Sequence, residues 1–395
     1  YGTDEQKDYY LPRLASAEEI PCFGLTSLEA GSDASNMLDN GMVCYGEHEG
    51  KEVLGIRLNW DKRYITLAPV ATVLGLAFKL FDPDKILGDE EELGITVALI
   101  PTDHEGVESG RRHWPMLLAF MNGPIRGKDV FIPMEWIVGG QDMVGQGWRM
   151  LIECLSEGRG ISLPSVSTAC AKVMYRMTGA YAKIRQQFKL PISQFEGVRT
   201  GLADIAGKSY MMVAMRKFVA GAVQDGLSPS IASAIAKYHM TEMARDMVIT
   251  SMDIHGGKAL QAGPSNYIVP SYLNAPVGIT VEGANILTRS LIIFGQGAVR
   301  CHPYLLQEMK ILNNPDVDQV DKFDEVLMRH IGSALANVSR VILYGLSCGL
   351  LIRSKAPKPV KKYVKQITRM STALAVLADM TFLVLGGRIK RKENL

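Results

Sequence analysis

The rhythm of apolar and polar positions changes once along this chain, near residue 145. Before that point, short runs rich in β-branched and aromatic residues alternate with Gly, Asp and Pro, at 20–26, 41–45, 53–58, 64–67, 73–81, 95–100 and 130–132. Runs of this length and spacing predict successive antiparallel strands joined by hairpins, one of them turning at Glu49-Gly50. Strands of this number bury their faces by forming a barrel or a small sandwich.

Beyond residue 145 the period moves towards 3.6. Helices are predicted over 164–188, 198–224, 230–254 and 285–301, with two more after Asp321. Pro164 suits the first turn of a helix, and Gly256-Gly257 suits the end of one. Long amphipathic helices with short connections predict an up-down four-helix bundle. The expected fold class is α+β: an antiparallel β-barrel or sandwich, then the bundle, then a further helical region. No transmembrane helix is expected. The apolar stretch 341–352 lies between Arg340 and Arg353 and falls short of the ~20 residues a span needs. The stretch 371–387 carries Asp379, which costs a few kcal/mol in lipid. Both are expected as buried helices of a bundle or of a dimer interface.

Composition narrows the class without naming a function. Of 395 residues, 47% are hydrophobic, and 43 Lys and Arg nearly balance 41 Asp and Glu. That excludes a disordered, collagenous or disulfide-scaffold chain, and the length suits two or three domains. The near-neutral total conceals a split, because 331–395 holds 12 basic and 2 acidic residues. Between Arg353 and Arg369 there are seven basic residues and no acid, interrupted by Pro357 and Pro359. This stretch reads either as a solvated connector or as a peripheral contact with an anionic membrane. It has few aromatics to stack bases, so nucleic-acid binding is not expected. Six scattered cysteines without a CxxC fit a reducing compartment and speak against a structural zinc. The chain starts at Tyr1 without a signal peptide, and the run Arg391-Lys392-Glu393 has no evident stop, so a segment of a longer protein is expected.

Familiar catalytic signals are missing: no GxGxxG after a strand, no GxxxxGK[ST], no HExxH, and no histidines paired at metal-ligand spacing. The one GxSxG match, Gly345-Leu346-Ser347-Cys348-Gly349, lies in an apolar helical stretch where a nucleophile elbow does not form. What remains is three turns. Thr26-Ser27-Leu28-Glu29-Ala30-Gly31-Ser32-Asp33 follows a strand, and its hydroxyls and backbone N–H groups could receive a planar amide-like ring or a phosphate. Lys62-Arg63-Tyr64-Ile65-Thr66 reads on pattern alone as an amphipathic strand. In Val281-Glu282-Gly283-Ala284-Asn285, Gly283 removes bulk beside Glu282 and leaves that carboxylate accessible. On pattern alone the first is also an ordinary hairpin and the third a solvated Glu near a helix start.

These turns occur in order with Glu157-Gly158-Arg159, Arg185-Gln186-Gln187-Phe188 and Gly256-Gly257, and the set resembles the acyl-CoA dehydrogenases over about 300 residues. The end of the chain is most similar to the bacterial long-chain, FadE-type branch. The resemblance implies the end of an N-terminal helical domain at 1–17, a central β-domain at 18–145, a bundle carrying the catalytic base at 146–310, and an additional basic helical region at 311–395. It implies FAD as cofactor, with Thr26, Ser32, Ile65, Thr66, Arg185, Phe188, Gly256, Gly257, Ala284 and Asn285 as its contacts. Arg185 and Phe188, expected on one helix face, would reach the FAD of a neighbouring subunit. It further implies Ser32, Arg159 and Gly283 at the acyl-CoA, no metal, and Glu282 as the base. Some long-chain members carry their base just before the arginine, but that position is Gly158 here.

The implied reaction is dehydrogenation of a medium- or long-chain acyl-CoA to a trans-2-enoyl-CoA, the first step of fatty-acid β-oxidation. Burial of Glu282 would raise its proton affinity to match the task. Implied partners are an electron-transfer flavoprotein and further copies of the chain, in a bacterial cytoplasm with contact to the inner membrane. Two other readings stay open: an acyl-CoA oxidase delivering electrons to oxygen, and a non-catalytic helical scaffold that kept the fold.

Overall fold

The computed structural model describes residues 1–313 and 320–386, so the run Arg391-Lys392-Glu393 lies outside the described residues, as does the side chain of Glu157. By its internal contacts the chain divides into two units, Tyr1–Ala284 and Asn285–Leu395.

The first unit opens with helix α1 (Asp4–Ser16), whose start is fixed by a reciprocal cap. Thr3 Oγ1 accepts the Gln6 N–H at 3.2 Å and Gln6 Oε1 accepts the Thr3 N–H at 3.1 Å. Seven strands follow: β1 (Pro21–Gly24), β2 (Asn40–His48), β3 (Lys51–Thr66), β4 (Val73–Phe81), β5 (Glu92–Pro101), β6 (Val107–Ser109) and β7 (Asn122–Pro133). The expected hairpin is present, with Glu49 and Gly50 at φ +50° and +75° between β2 and β3. Both central residues are left-handed, which matches the right-handed twist of the strands they join.

β4 organises the sheet. Its odd and even positions part cleanly: Leu74, Leu76, Phe78 and Leu80 enter one core, and Ala77 enters a second core with Ile95, Val97 and Leu151. Each such large side chain contributes about 1.5–3 kcal/mol of transfer free energy. The sheet is mixed, not wholly antiparallel, because β1 and β2 both pair with β4 in parallel register. β5 takes the antiparallel side of β4. The two strands expected at 53–58 and 64–67 are one strand, β3, with register shifts at Leu58/Trp60 and Lys62/Ile65. The polar interval between them suggested a break, but Lys62 is buried there against Asp39. Its Nζ donates to Asp39 Oδ2 at 2.5 Å and to the Leu25 carbonyl at 3.0 Å. Asp39 Oδ1 also accepts the Asp61 N–H at 3.0 Å.

The helical half of this unit comprises α2 (Gly147–Ile184), α3 (Glu196–Gln224), α4 (Ser230–His255), the short α5 (Gly257–Leu260) and α6 (Val269–Thr280). Ala171 and Met174 of α2, Met212 of α3, and Met240 and Met247 of α4 share one core. Pro164 is not at a helix start as expected, but inside α2. A proline within a helix costs about 3 kcal/mol. Here α2 continues through it, with Pro164 itself buried and with Leu151 and Met174 further along the helix in cores on either side. Arg185 and Phe188 do not share a helix face either. α2 ends at Ile184, and the next residues form a hairpin, β8 (Gln186–Gln187) with β9 (Leu190–Pro191), that places Phe188 and Lys189 at its left-handed turn.

The second unit begins with α7 (Asn285–Leu287), which runs through a π-helical stretch, Thr288–Gln296, into α8 (Gly297–Arg300). α9 (Leu305–Leu312), α10 (Val320–Leu346) and α11 (Lys358–Leu385) follow. A polar network ties the last three together. His302 Nδ1 accepts the N–H groups of Tyr304 and Leu305, so its Nε2 carries the proton and donates to Asp379 Oδ1 at 2.8 Å. His330 joins Asp379 to Glu308, at 3.4 and 2.8 Å. The ligand atoms of His302, His330 and Asp379 lie within 4.8 Å of one another, a grouping that the sequence spacing gave no sign of.

The expectation that 341–352 and 371–387 are buried is corrected. α10 and α11 pack on each other and leave apolar faces outside, including Ile342, Leu343, Leu346, Leu374, Leu377 and Leu383; Ile352 is buried. Both helices are amphipathic, and the helices packed on them, α9 and α11 on α10 and α10 on α11, leave part of each apolar stripe exposed. Among the described residues α11 is also long and apolar enough to cross a membrane, by length and composition alone.

The Lys62–Asp39 pair generates a stability prediction. Asp39→Ala leaves a buried ammonium without its counter-ion and should destabilise the protein by about 3–5 kcal/mol, whereas the double change Asp39→Leu/Lys62→Met should recover much of that loss. Urea unfolding of the three proteins checks this; a double variant no more stable than Asp39→Ala would contradict it.

Candidate active site

Glu282 lies just after α6. That helix closes through the Val281 N–H, which donates to the Val277 carbonyl at 3.0 Å. The chain then leaves through two successive left-handed residues, Glu282 at φ +54° and Gly283 at φ +92°. Glycine adopts this conformation freely, but glutamate pays about 1–2 kcal/mol for it. Such a conformation persists where the surroundings over-determine it. Here two cations from neighbouring helices do so. Arg159 Nε of α2 donates to the Glu282 carbonyl at 2.9 Å. Lys237 Nζ of α4 donates to the carbonyls of Ile279 and Gly283 at 3.0 and 2.8 Å.

The Glu282 carboxyl is half-buried, and its Oε2 is sealed from solvent without a hydrogen-bond partner. Burial raises this carboxyl above the usual carboxylate range, while the charges of Arg159 and Lys237 pull it back. The same burial lowers the affinity of Arg159 for its proton and pushes Lys237 down to about 8. A Cβ at Gly158 would stand 3.7 and 3.9 Å from the two Glu282 carboxylate oxygens. Gly158, the position at which some long-chain members are expected to carry a base, therefore faces the Glu282 carboxyl. Nearby, α2, α4 and α6 enclose a cavity of about 70 Å³, lined by Leu163, Ser167, Cys170, Thr241 and Gly278 among others.

The sheet presents the second group of candidates. The turn at 26–33 is braced from β3 by three donors. The Arg63 N–H reaches the Thr26 carbonyl at 2.9 Å, Arg63 Nη2 the Leu28 carbonyl at 3.1 Å, and Lys62 Nζ the Leu25 carbonyl. Inside the turn the Ser27 N–H donates to Ala30 at 3.1 Å, and the Ser27 hydroxyl is buried without a partner. Thr26 is half-buried, and Ser32 and Thr66 are exposed. Ile65 is 4% exposed and belongs to the sheet core, so its backbone alone remains for a ligand. Tyr64 is left-handed at φ +61°, exposed, and its carbonyl accepts from Asn122 Nδ2 at 2.8 Å.

Arg185 is exposed, and Phe188 is 88% exposed at the tip of the β8–β9 hairpin. The Gly256-Gly257 turn caps α4, with Gly256 at φ +57°, and a Cβ on either glycine would meet nothing within 4 Å. His255 anchors it, stacked on Tyr181 at 4.1 Å and bonded to the Tyr267 hydroxyl at 2.6 Å. Ala284 ends the first unit, and Asn285 is a buried residue at the start of the second. The structure thus gathers Glu282, Gly283, Gly158 and Arg159 at one point and Thr26, Ile65 and Thr66 beside β3, while Arg185 and Phe188 stand on an outer hairpin.

Residues 145–294 match the family model for the acyl-CoA dehydrogenase C-terminal domain, and residues 299–395 match that for the bacterial-type acyl-CoA dehydrogenase C-terminus. The chain belongs to the acyl-CoA dehydrogenase family. Over 104 residues it is 62% identical to the protein HemX of Proteus mirabilis, across 26% of this chain and 61% of that one. Over 258 residues it is 28% identical to the acryloyl-CoA reductase (NADH) of Anaerotignum propionicum, across 65% of this chain and 61% of that one. The crystal structure of an acyl-CoA dehydrogenase from Geobacillus kaustophilus superposes with a TM-score of 0.65 at 25% identity, over 75% of this chain and 73% of that one. The chain spans about three-fifths of the length of both curated relatives.

Members of this family are FAD-dependent, and two observations show that the residues present fit a flavin. The buried oxygens Glu282 Oε2 and Ser27 Oγ both lack partners, and the turn at 26–33 is held rigidly by β3 with its outer residues accessible. Sequence reasoning missed three contributors: Lys237, Arg63 and Asp39. A lone Lys between Ala234, Ala236 and Met240 on an apolar helix stripe was the available signal for the first. Arg63 lies in the segment 62–66, which reads on pattern alone as an amphipathic strand, and nothing in the pattern singled out Asp39.

The raised carboxyl of Glu282 carries a sign that can be measured. The folded state holds this proton more tightly than the unfolded chain, so its contribution to stability falls as pH rises from the ordinary carboxylate value of 4.5. Glu282→Gln should therefore unfold at a higher temperature than the parent near neutral pH. The advantage should vanish towards pH 4; equal melting temperatures at every pH would contradict the assignment.

Proposed function

We propose that the protein dehydrogenates a fatty acyl-CoA between Cα and Cβ, with Glu282 as the base that removes the Cα proton. The observation that carries this reading is the Glu282 carboxyl itself: half-buried, raised in proton affinity, and sealed on one oxygen without a partner. An ordinary exposed glutamate is too weak a base for a thioester α-hydrogen, and raising its affinity brings it closer to the task. The charges of Arg159 and Lys237 oppose that rise and favour the ionised form. As Glu282 takes the Cα proton, the electron pair of that C–H bond would form the double bond and a hydride would leave Cβ. For that hydride FAD, when bound, would supply the acceptor. Thr26, Ser32 and the backbone at Ile65-Thr66 would hold it on the sheet side.

Arg185 suits a diphosphate, for which a guanidinium fork is well shaped. Its exposed position, with Phe188 at a hairpin tip, supports a role towards the FAD of a second copy of the chain. The electrons would pass to an electron-transfer flavoprotein, completing the first step of β-oxidation. Among the seven basic residues of 353–369, all but Lys365 are exposed, beside the uncovered apolar faces of α10 and α11. That arrangement supports contact with an anionic membrane surface, in a bacterial cytoplasm at the inner membrane.

Anaerobic addition of acyl-CoAs of graded length to the full-length, flavin-loaded protein tests the reaction. The parent should lose its visible absorbance, and Glu282→Gln should keep its flavin but not bleach; a bleaching variant removes Glu282 from this role. Peroxide release in air at the turnover rate would assign the electrons to oxygen instead. For the membrane contact, liposomes with anionic lipid should retain the protein at low salt and release it at high salt. Equal retention by neutral liposomes would refute an electrostatic contact.

A further inference from the structure

We propose that Lys237 is the positioning residue of the base: its ammonium clasps the backbone on both sides of Glu282 and fixes where that carboxylate stands. The inference rests on Glu282 being the base and assigns a residue that the reading of the turns alone does not.

Lys237 has no exposed surface, although it lies in the middle of α4. A lysine is rarely enclosed in this way, because removing an ammonium from water is expensive unless its donors are taken. Its neighbours along the helix, Ser233, Ala234, Ala236 and Met240, are also buried, so the chain has placed a cation inside a packed face. What it reaches is specific. Ile279 and Gly283 are four residues apart, and Nζ takes both carbonyls, at 3.0 and 2.8 Å. Glu282 lies within that span, and Arg159 Nε takes its carbonyl at 2.9 Å. Three carbonyls from five consecutive residues thus converge on two cations carried by two different helices.

A cap on α6 would account for the Ile279 contact, since a cation near a helix C-terminus is favourable. It does not account for the contact beyond the turn, at Gly283. The bridge spans the two left-handed residues and opposes their return to ordinary conformations, which would swing the carboxylate away. The charge also acts through space. Arg159 and Lys237 are the two groups that lower the Glu282 affinity for protons, against the burial that raises it. Lys237 in turn is affected by burial, by Arg159, and by the carboxylates of Glu282 and Glu242. Position and proton affinity of the base therefore share one determinant.

The two effects separate in a set of variants of the full-length, flavin-loaded protein, followed by anaerobic flavin reduction at saturating acyl-CoA across pH. Lys237→Met removes clasp and charge. It should lower the reduction rate at least roughly tenfold, with acyl-CoA affinity nearly unchanged, since small misplacements of a reacting group are costly. Its acid limb should also move to higher pH, because the carboxylate has lost a stabilising charge. Lys237→Gln keeps amide donors for the carbonyls without the charge, and should regain much of the rate at high pH while keeping the shifted limb. A merely structural lysine would change the melting temperature and leave that limb in place. Parent-like rates and an unshifted limb in Lys237→Gln overturn the proposal, and this variant decides alone should Lys237→Met not fold. Glu282→Gln runs alongside: activity there would sink the base assignment itself, whereas an inactive Glu282→Gln beside unaffected Lys237 variants would sink only the clasp.

Discussion

The site is organised around a carboxyl group partly removed from water beside two positive charges. Burial raises the affinity of Glu282 for its proton, and the neighbouring charges of Arg159 and Lys237 oppose that rise. Two cations, the half-buried Arg159 and the buried Lys237, address the backbone of the turn and act on the carboxyl through space. A direct ion pair would have occupied the carboxylate oxygens. Binding the carbonyls leaves Oε2 without a partner and fixes an uncommon backbone conformation at the same time.

The sheet side follows the same logic. The turn at 26–33 has little regular structure of its own, and it is held by Arg63 and Lys62 of β3 through the carbonyls of Thr26, Leu28 and Leu25. Lys62 can be buried because Asp39 accompanies it, and Asp39 in turn receives the Asp61 N–H. In both places a buried cation grips main-chain oxygens and turns an irregular segment into a defined surface. Loops made rigid in this way can carry function on a scaffold whose own core is apolar.

The strands and long helices were legible in the sequence because their periods of 2 and 3.6 are strong local signals; the Glu49-Gly50 hairpin and β4 were found where expected. The failures were local signals that tertiary packing overrode. Pro164 reads as a helix start, yet α2 passes through it with Pro164 itself buried. The polar interval in β3 separates two expected strands, yet the strand is continuous and Lys62 finds Asp39 more than twenty residues away. Of the site, the order of its turns pointed to Glu282, Gly283 and Arg159, which the structure brings together. Lys237 was not legible, since a single lysine in an apolar stripe does not say what it will bind. The grouping of His302, His330 and Asp379 was equally hidden, because its members are brought together by the packing of α9, α10 and α11.

The claim at the centre, that the carboxylate at 282 takes a proton from the carbon next to the thioester, is tested most directly by isotope exchange at that carbon. Acyl-CoA incubated anaerobically in D₂O with the full-length, flavin-loaded protein and recovered for mass spectrometry should carry deuterium at Cα, whereas the same incubation with Glu282→Gln should return it unlabelled. Equal labelling by the two proteins would show that another group moves this proton and would contradict the account.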